Sequence, residues 1–506
     1  MSRLADRFRA ILRARPWPFH PVLFASYFVL FLYSVNLEEV ELGDVLPVLA
    51  LVGGGMAVML ILAGLLVGDA RRAALVLTPI VVAVLAYGHT ARLLRPTGIG
   101  PTVHQVGWLA IIVVAIILAW RGRRYLGVVT RALNVGSLAL VIVSLVSIVP
   151  YDLGRVSIGQ APPPPAVIAP SGSGPDIYWL VFDRYPSERS GRMAYGIENP
   201  IFDELEARGF YIAENSHANY QRTTFSLMGT FSAEFLDGRG HADVFGPTDV
   251  SGTYTRITNS NVARFLKAQG YHHVHVSSDF SPTRLNVVAD VHHVYDKQSD
   301  FGVAFVDSTA MPAIARRLGL EVSPWARRYR WTTWQVDLLA NLPPAPSPKF
   351  VFGHVLLPHT PYMFLADGSF IDEVPSRRRP PLEQFSEQLT FTNTRMLAIL
   401  DDLLAVPEAE RPVIIVQADE GPYPSYLEDE TGHDWTTATS EEREIKFGIL
   451  NAWYVPEGRD IGLYPEISPV NTFRLLFNAY FDTELPLLPD ESFTHGHPEP
   501  LEFPEP

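Results

Sequence analysis

The first 150 residues alternate between long uncharged runs and short polar breaks. Five runs approach or exceed the roughly 20 apolar residues that a bilayer crossing takes: about Pro16–Leu37, Val45–Gly68, Ala73–Ala91, Pro96–Trp120 and Ala132–Pro150. Soluble domains rarely stack five such runs, so residues 1–153 are expected to form a transmembrane helical bundle. From residue 154 the pattern breaks into GRVSIGQAPPPPAVIAPSGSGP, a Pro, Gly and Ser-rich linker through 175. Beyond it, short apolar runs bounded by polar residues replace the long ones. Ile177–Phe182, Gly209–Ala213, His272–Ser277, Phe350–Leu357 and Val413–Gln417 read as buried strands. Helical stretches separate them, such as Asn199–Arg208, Asn261–Gln269 and Leu382–Val406. Strands alternating with helices predict an α/β domain with a mainly parallel sheet over residues 176–506.

Charge adds a direction to this picture. Arg3, Arg7, Arg9, Arg13 and Arg15 precede the first run, Arg71 and Arg72 follow the second, and Arg121, Arg123, Arg124 and Arg131 follow the fourth. The first loop is acidic, with Glu38, Glu39, Glu41 and Asp44; the third, with Arg92 and Arg95, dissents mildly. Basic loops stay in the cytoplasm, so five crossings place the C-terminal domain outside it. The expected location is the cytoplasmic membrane of a bacterium. Residues 1–150 carry 13 Lys and Arg against 6 Asp and Glu, and the remainder carries 27 against 48. A domain that acidic is a poor nucleic-acid binder, because such binding needs basic surface to displace counterions. With no cysteine in the chain, thiolate nucleophiles and zinc–sulfur sites are excluded.

Candidate chemistry gathers where apolar runs end. Parallel sheets bind ligands at the carboxyl ends of their strands. IYWLVFD ends there in Asp183, and VIIVQADEG in Asp419 and Glu420. Between them, NYQRTTFSL places Thr223 and Thr224 at a probable helix entry, where free N–H groups and the helix dipole favour anions. A hydroxyl beside carboxylates that hold a divalent cation is one way to build phosphoryl transfer. Each feature has a plainer use: a strand-end Asp caps a turn, a Thr caps a helix, and His354 and His359 of FGHVLLPHTPYMF fill a core.

The strings DIYWLVFD, NYQRTTFSL, FVFGHVLLPHTPY and VIIVQADEGP carry a resemblance, extended by KFGILNAWYVPEG and LYPEISPVNTFRLLFNAYFDTELPLL. Together they resemble the membrane-anchored, sulfatase-like branch of the alkaline phosphatase superfamily. That branch includes lipoteichoic acid synthases and envelope phosphoethanolamine transferases. The resemblance spans residues 176 to about 493 and implies an alkaline phosphatase-like fold. It makes Asp183 and Asp419 metal ligands, Thr223 the nucleophile and a ligand (Thr224 the fallback), and His359 the substrate-phosphate contact with His354 beside it. The family's Asp-His-Gly motif reads Asp419-Glu420-Gly421 here, so Glu420 stands where a ligating His is expected and becomes the fourth candidate ligand. Oxygen donors of this kind imply one divalent cation, Mn2+ or Mg2+ with Ca2+ also compatible, and disfavour Zn2+. Sulfatase chemistry is not expected, since the chain lacks both the Cys and the Ser-x-Pro-x-Arg context from which formylglycine is made.

Two functions follow. The first is a metal-dependent phosphoryl-group transferase or phosphoester hydrolase using Thr223 on lipid- or glycan-linked phosphates of the envelope. The second is a non-catalytic envelope protein that keeps the fold with a degenerate metal site. Asp183, Thr223, Asp419 and His359 favour the first, and Glu420 the second.

Overall fold

The computed structural model describes residues 16–37, 40, 42–94, 100–158, 174–242, 244, 254–295, 300–318, 323–423, 435, 437–494 and 500–503. The N-terminal arginines, most of the acidic first loop, Arg95 and linker residues 159–173 lie outside them. The chain divides into two compact units, Met1–Ser157 with Gln298–Pro324, and Ile158–Lys297 with Trp325–Pro506.

In the first unit each expected apolar run meets helix: α1 (His20–Ser34), α2 (Leu42–Val67), α3 (Ala70–Leu85), α4 (Tyr87–Leu94), α5 (Pro101–Arg121) and α6 (Leu126–Ile158). Three of these, α2, α5 and α6, are long and apolar enough to cross a membrane. Helices α3 and α4 meet that standard only together, as a pair bent by 58°. Helix α1 is apolar but has only 15 residues. Asp69 starts α3 by accepting a hydrogen bond from the Arg71 N–H at 3.0 Å, so the basic pair sits at a capped helix start. The bundle turns large apolar side chains outward, among them Leu66, Val113 and Val143. A solvent that leaves those exposed is lipid, not water.

The second unit holds one seven-stranded sheet. Its strands are β1 (Ile177–Phe182), β2 (Tyr211–Ile212), β3 (His272–Val276), β4 (Val291–His293), β5 (Lys349–Val355), β6 (Val413–Gln417) and β7 (Asn451–Tyr454). They lie in the order β2-β7-β6-β1-β5-β3-β4. From β6 to β4 every pair is parallel, and β7 and β2 close one edge antiparallel. The five expected strands are all present, with ends that differ from expectation by no more than two residues (β5 begins one residue earlier, at Lys349); β4 and β7 are additional.

Side chains alternate across β1. Tyr178, Leu180 and Phe182 enter one core with Phe385, Leu389, Met396 and Leu400 of the helix Pro381–Leu404. Ile177, Trp179 and Val181 enter the other, with Phe231, Phe265, Phe473 and Phe477 from three further helices. A strand buried on both faces needs an unbroken apolar run, which is why β1 and β6 stand out in the sequence. Their register, Ile177 opposite Val413 and Val181 opposite Gln417, brings their ends level, so the residues that follow them meet.

Candidate active site

Asp183 follows the last residue of β1, and its N–H donates to the Val355 carbonyl at 2.9 Å. The chain then turns through Arg184, which holds a left-handed φ of 59°. A side chain in that region costs about 1–3 kcal/mol, and such torsions collect at functional sites. Here it aims the Arg184 N–H at Asp419 Oδ1, 3.1 Å away at the end of β6. His354 comes from β5, paired with Val181 of β1. Asp183, His354 and Asp419 each offer a ligand atom within 4.8 Å of the other two, and all three residues are buried.

Three atoms of this group lack hydrogen-bond partners among the described residues: Asp183 Oδ1, Asp419 Oδ2 and His354 Nε2. Leaving a buried polar group unmade costs about 1–3 kcal/mol, more when it is charged. Three buried residues with metal-ligand spacing, each keeping one such atom, fit a divalent cation. The imidazole is prepared for it. His354 Nδ1 lies 2.9 Å from Thr283 Oγ1, and with Nδ1–H donating there, Nε2 keeps its lone pair. Burial also lowers the His354 pKa to about 3, which keeps the ring neutral. Both aspartates are pushed the other way. Burial, then repulsion from Asp419, raises the Asp183 carboxyl well above the usual range. Burial, then repulsion from Glu420, raises Asp419 to about 6, partly offset by the nearby Thr223 hydroxyl and the hydrogen bond from the Arg184 N–H.

Glu420 has a different environment. Its Oε1 accepts from Arg184 Nε at 2.9 Å, and its Oε2 from Lys446 Nζ at 2.5 Å. Burial alone would raise its pKa, but Lys446 and Arg184 outweigh it and hold the carboxyl below its usual value. Lys446 is itself buried, on the helix Ser440–Phe447. Close approach here requires a residue without Cβ: one at Gly421 would stand 2.5 Å from the Lys446 carbonyl oxygen. Thr223 opens the helix Thr223–Ser232 and its hydroxyl donates to Glu420 Oε1 at 3.3 Å.

The structure therefore brings Asp183, Asp419, Thr223 and Glu420 into one neighbourhood. It seats His354, not Glu420, in the group with metal-ligand spacing. With an imidazole among the donors, the set no longer disfavours Zn2+ as an all-oxygen set does. His359 stands half-buried on the loop after β5. Its Nδ1 donates to the Thr360 carbonyl, and burial, with Arg184 and other cations nearby, keeps it neutral. Thr224, next on the helix, is also half-buried. Lys446 and Thr283 escaped the sequence reading. Lys446 lies within an apolar stretch of REIKFGIL, a placement that asks for a buried partner.

No family model matches the chain, and no curated protein does. Solved structures do. The C-terminal periplasmic domain of EptC from Escherichia coli, in complex with zinc, is similar over 64% of this chain and 87% of its own, at 12% identity and TM-score 0.44. The integral membrane lipooligosaccharide phosphoethanolamine transferase A from Neisseria meningitidis is similar over 91% and 95%, at 12% identity and TM-score 0.42. The phosphonate monoester hydrolase of Agrobacterium radiobacter is similar over 60% and 73%, at 11% identity and TM-score 0.40.

Proposed function

We propose that the protein is a metal-dependent phosphoryl-group transferase or phosphoester hydrolase. It acts on phosphate carried by lipids or glycans of the bacterial envelope, with its globular unit outside the cytoplasm. The observation that carries this is the grouping of three buried residues with metal-ligand spacing, Asp183, Asp419 and His354, each with one atom unpartnered among the described residues, beside a hydroxyl at a helix start. Charge is consistent with an anionic substrate. Two aspartates and a neutral imidazole balance a dication, while Glu420 is outweighed by Arg184 and Lys446. Loaded, this set of groups is net positive, which removes the repulsion an all-carboxylate site would exert on phosphate.

A bound dication at Asp183, Asp419 and His354 supplies Lewis acidity, lowering the pKa of a nearby hydroxyl and offsetting charge on phosphate oxygens. Thr223 Oγ attacks phosphorus as its proton passes to the carboxylates that face it. The Oγ–P bond forms, the ester P–O bond breaks, and the departing alcohol takes up a proton. An acceptor hydroxyl or water then attacks the phosphothreonine, and the Oγ–P bond breaks to restore Thr223. Neutral His359, with Nδ1 committed to the Thr360 carbonyl, presents Nε2 as an acceptor for the incoming hydroxyl's proton.

The test is metal content and phosphodiester turnover of the full-length protein in detergent. Wild type should carry about one dication and turn over. Thr223→Ala should keep the metal and lose turnover. A wild type that binds no dication in the presence of Mn2+, Mg2+ or Zn2+ would overturn the reading.

A further inference from the structure

Residues Gln298–Pro324 interrupt the sequence of the globular unit yet belong to the bundle. They contain two helices, Asp300–Asp307 and Met311–Arg317. The first presents Phe301 and Phe305, one turn apart on a single face, to a core built by Val29, Tyr33, Val45 and Ile148 of α1, α2 and α6. Both rings are at least 95% buried. Tyr33 and Phe301 meet edge to face, with ring centroids 6.4 Å apart. Main-chain bonds fasten the joint. The Gly88 N–H donates to the Ser308 carbonyl at 2.9 Å, and the Ala310 N–H to the Val84 carbonyl at 2.8 Å. At Gly88 a Cβ would stand 2.6 Å from the Ser308 oxygen, so the approach needs glycine.

The second helix shows the opposite pattern. Met311, Ile314 and Leu318 fall at i, i+3 and i+7, one stripe, and are 50%, 42% and 70% exposed. In a globular surface such a stripe is a liability. Here it adds to the exposed apolar side chains of the unit to which it is fastened.

We infer that residues 300–318 are an interfacial membrane anchor built into the globular unit's sequence, with Phe301 and Phe305 plugged into the bundle and Met311, Ile314 and Leu318 set against lipid. The partner is the bilayer that α2, α5 and α6 are composed to cross. The globular unit's sequence is then attached to the membrane at residues 300–318 as well as through the chain after α6, and this holds whether or not the candidate site is catalytic.

Because the chain has no cysteine, one introduced thiol is unique. Full-length Ile314→Cys, Leu318→Cys and Arg377→Cys, each labelled with an environment-sensitive dye, are reconstituted in phosphatidylcholine vesicles with and without brominated acyl chains. Arg377 lies in the other unit and its side chain is 70% exposed. Brominated lipid should quench the dyes at 314 and 318 and leave 377 bright. Equal emission at all three, or a blue-shifted but unquenched dye at 314 and 318, overturns the inference; the latter places a protein partner there. In parallel, a protease site is inserted between 159 and 173 and cut in vesicles, followed by a high-salt wash. The wild-type C-terminal fragment should sediment, and the Phe301→Asp/Phe305→Asp fragment should stay in the supernatant. Release of the wild-type fragment would refute the anchor even if the double variant fails to fold.

Discussion

Asp419 and Glu420 are neighbours at the end of one strand and face two different chemistries. On the Asp419 side, two carboxylates and an imidazole lie close together, with one atom of each left without a hydrogen-bond partner among the described residues. On the Glu420 side, one carboxylate is shared between Arg184 and Lys446, and none of its oxygens is left over. The first arrangement costs folding energy and pushes aspartate pKa values up. The second is internally neutralised and pulls one down. Unsatisfied polar groups at full burial are tolerated where a ligand completes them, so under the proposed function the difference separates a half of the site that binds from a half that supports it.

The sharpest way to break this division is through the hydroxyl between the halves. Thr223→Ala should lower turnover at least about 10^4-fold while changing stability by no more than about 1 kcal/mol, since Thr223 follows the cap position and makes one hydrogen bond of 3.3 Å. Stopped-flow turnover beside a urea melt reads both. Retained activity in Thr223→Ala with loss in Thr224→Ala would move the nucleophile one residue on.

The two carboxylates should then fail in opposite ways. Asp419→Asn should weaken dication binding about 100-fold or more and leave the metal-free fold as stable or more so, because it removes a buried charge without a full partner set. Glu420→Gln should weaken binding less than about tenfold but destabilise by about 3–5 kcal/mol, by stranding buried Lys446. Calorimetry and denaturant melts on the two variants decide it. A Glu420→Gln protein that folds normally and loses its metal would make Glu420 a ligand after all.

A smaller effect comes from pH. Asp419 titrates at about 6 when folded and metal-free, above its usual 3.8. Protons therefore compete with the metal below that value, and binding at pH 5 should be about tenfold weaker than at pH 7. The stability sign follows from linkage. A carboxyl raised on folding binds more protons folded than unfolded between about 4 and 6, so the metal-free domain should lose stability as pH rises through that window. Saturating metal should reverse the trend. Smallest of all, Thr283→Val removes the partner of His354 Nδ1 and should cost about tenfold in metal affinity with catalysis at saturating metal little changed.

What the sequence shows of this site follows from distance along the chain. Asp183 and Asp419 are legible because each ends an apolar run that only a doubly covered strand needs. Thr223 is legible as a hydroxyl at a helix entry. The pairing of Glu420 is not, because it depends on a lysine 26 residues away whose direction is set by the packing of the helix Ser440–Phe447. The position of His354 is visible in FGHVLLPH, but its place against Asp183 needs the β1–β5 register. Strand β4, three residues of VHH, offers too short a pattern to read. The anchor helices are hidden for the same reason: DFGVAFVD and MPAIARR are too short to carry a distinctive pattern, and only the neighbours of Phe301 and Phe305 distinguish them.

The anchor also orders events during synthesis. Helix α6 ends at Ile158, but the apolar cluster around Tyr33 is completed only when Phe301 and Phe305 arrive. At about 5–20 residues per second, translation takes roughly 7–30 s to cover that interval. Through all of it, the ends of α1, α2 and α6 wait in the membrane with an unfilled apolar socket. Strands β1, β2, β3 and β4 are made in the same interval, before β5 exists to join β3 to β1. Neither unit is complete when its first half emerges, so assembly of the bundle and of the sheet is interleaved in time rather than sequential. A ribosome pause near residue 300 would therefore prolong the half-built state of both.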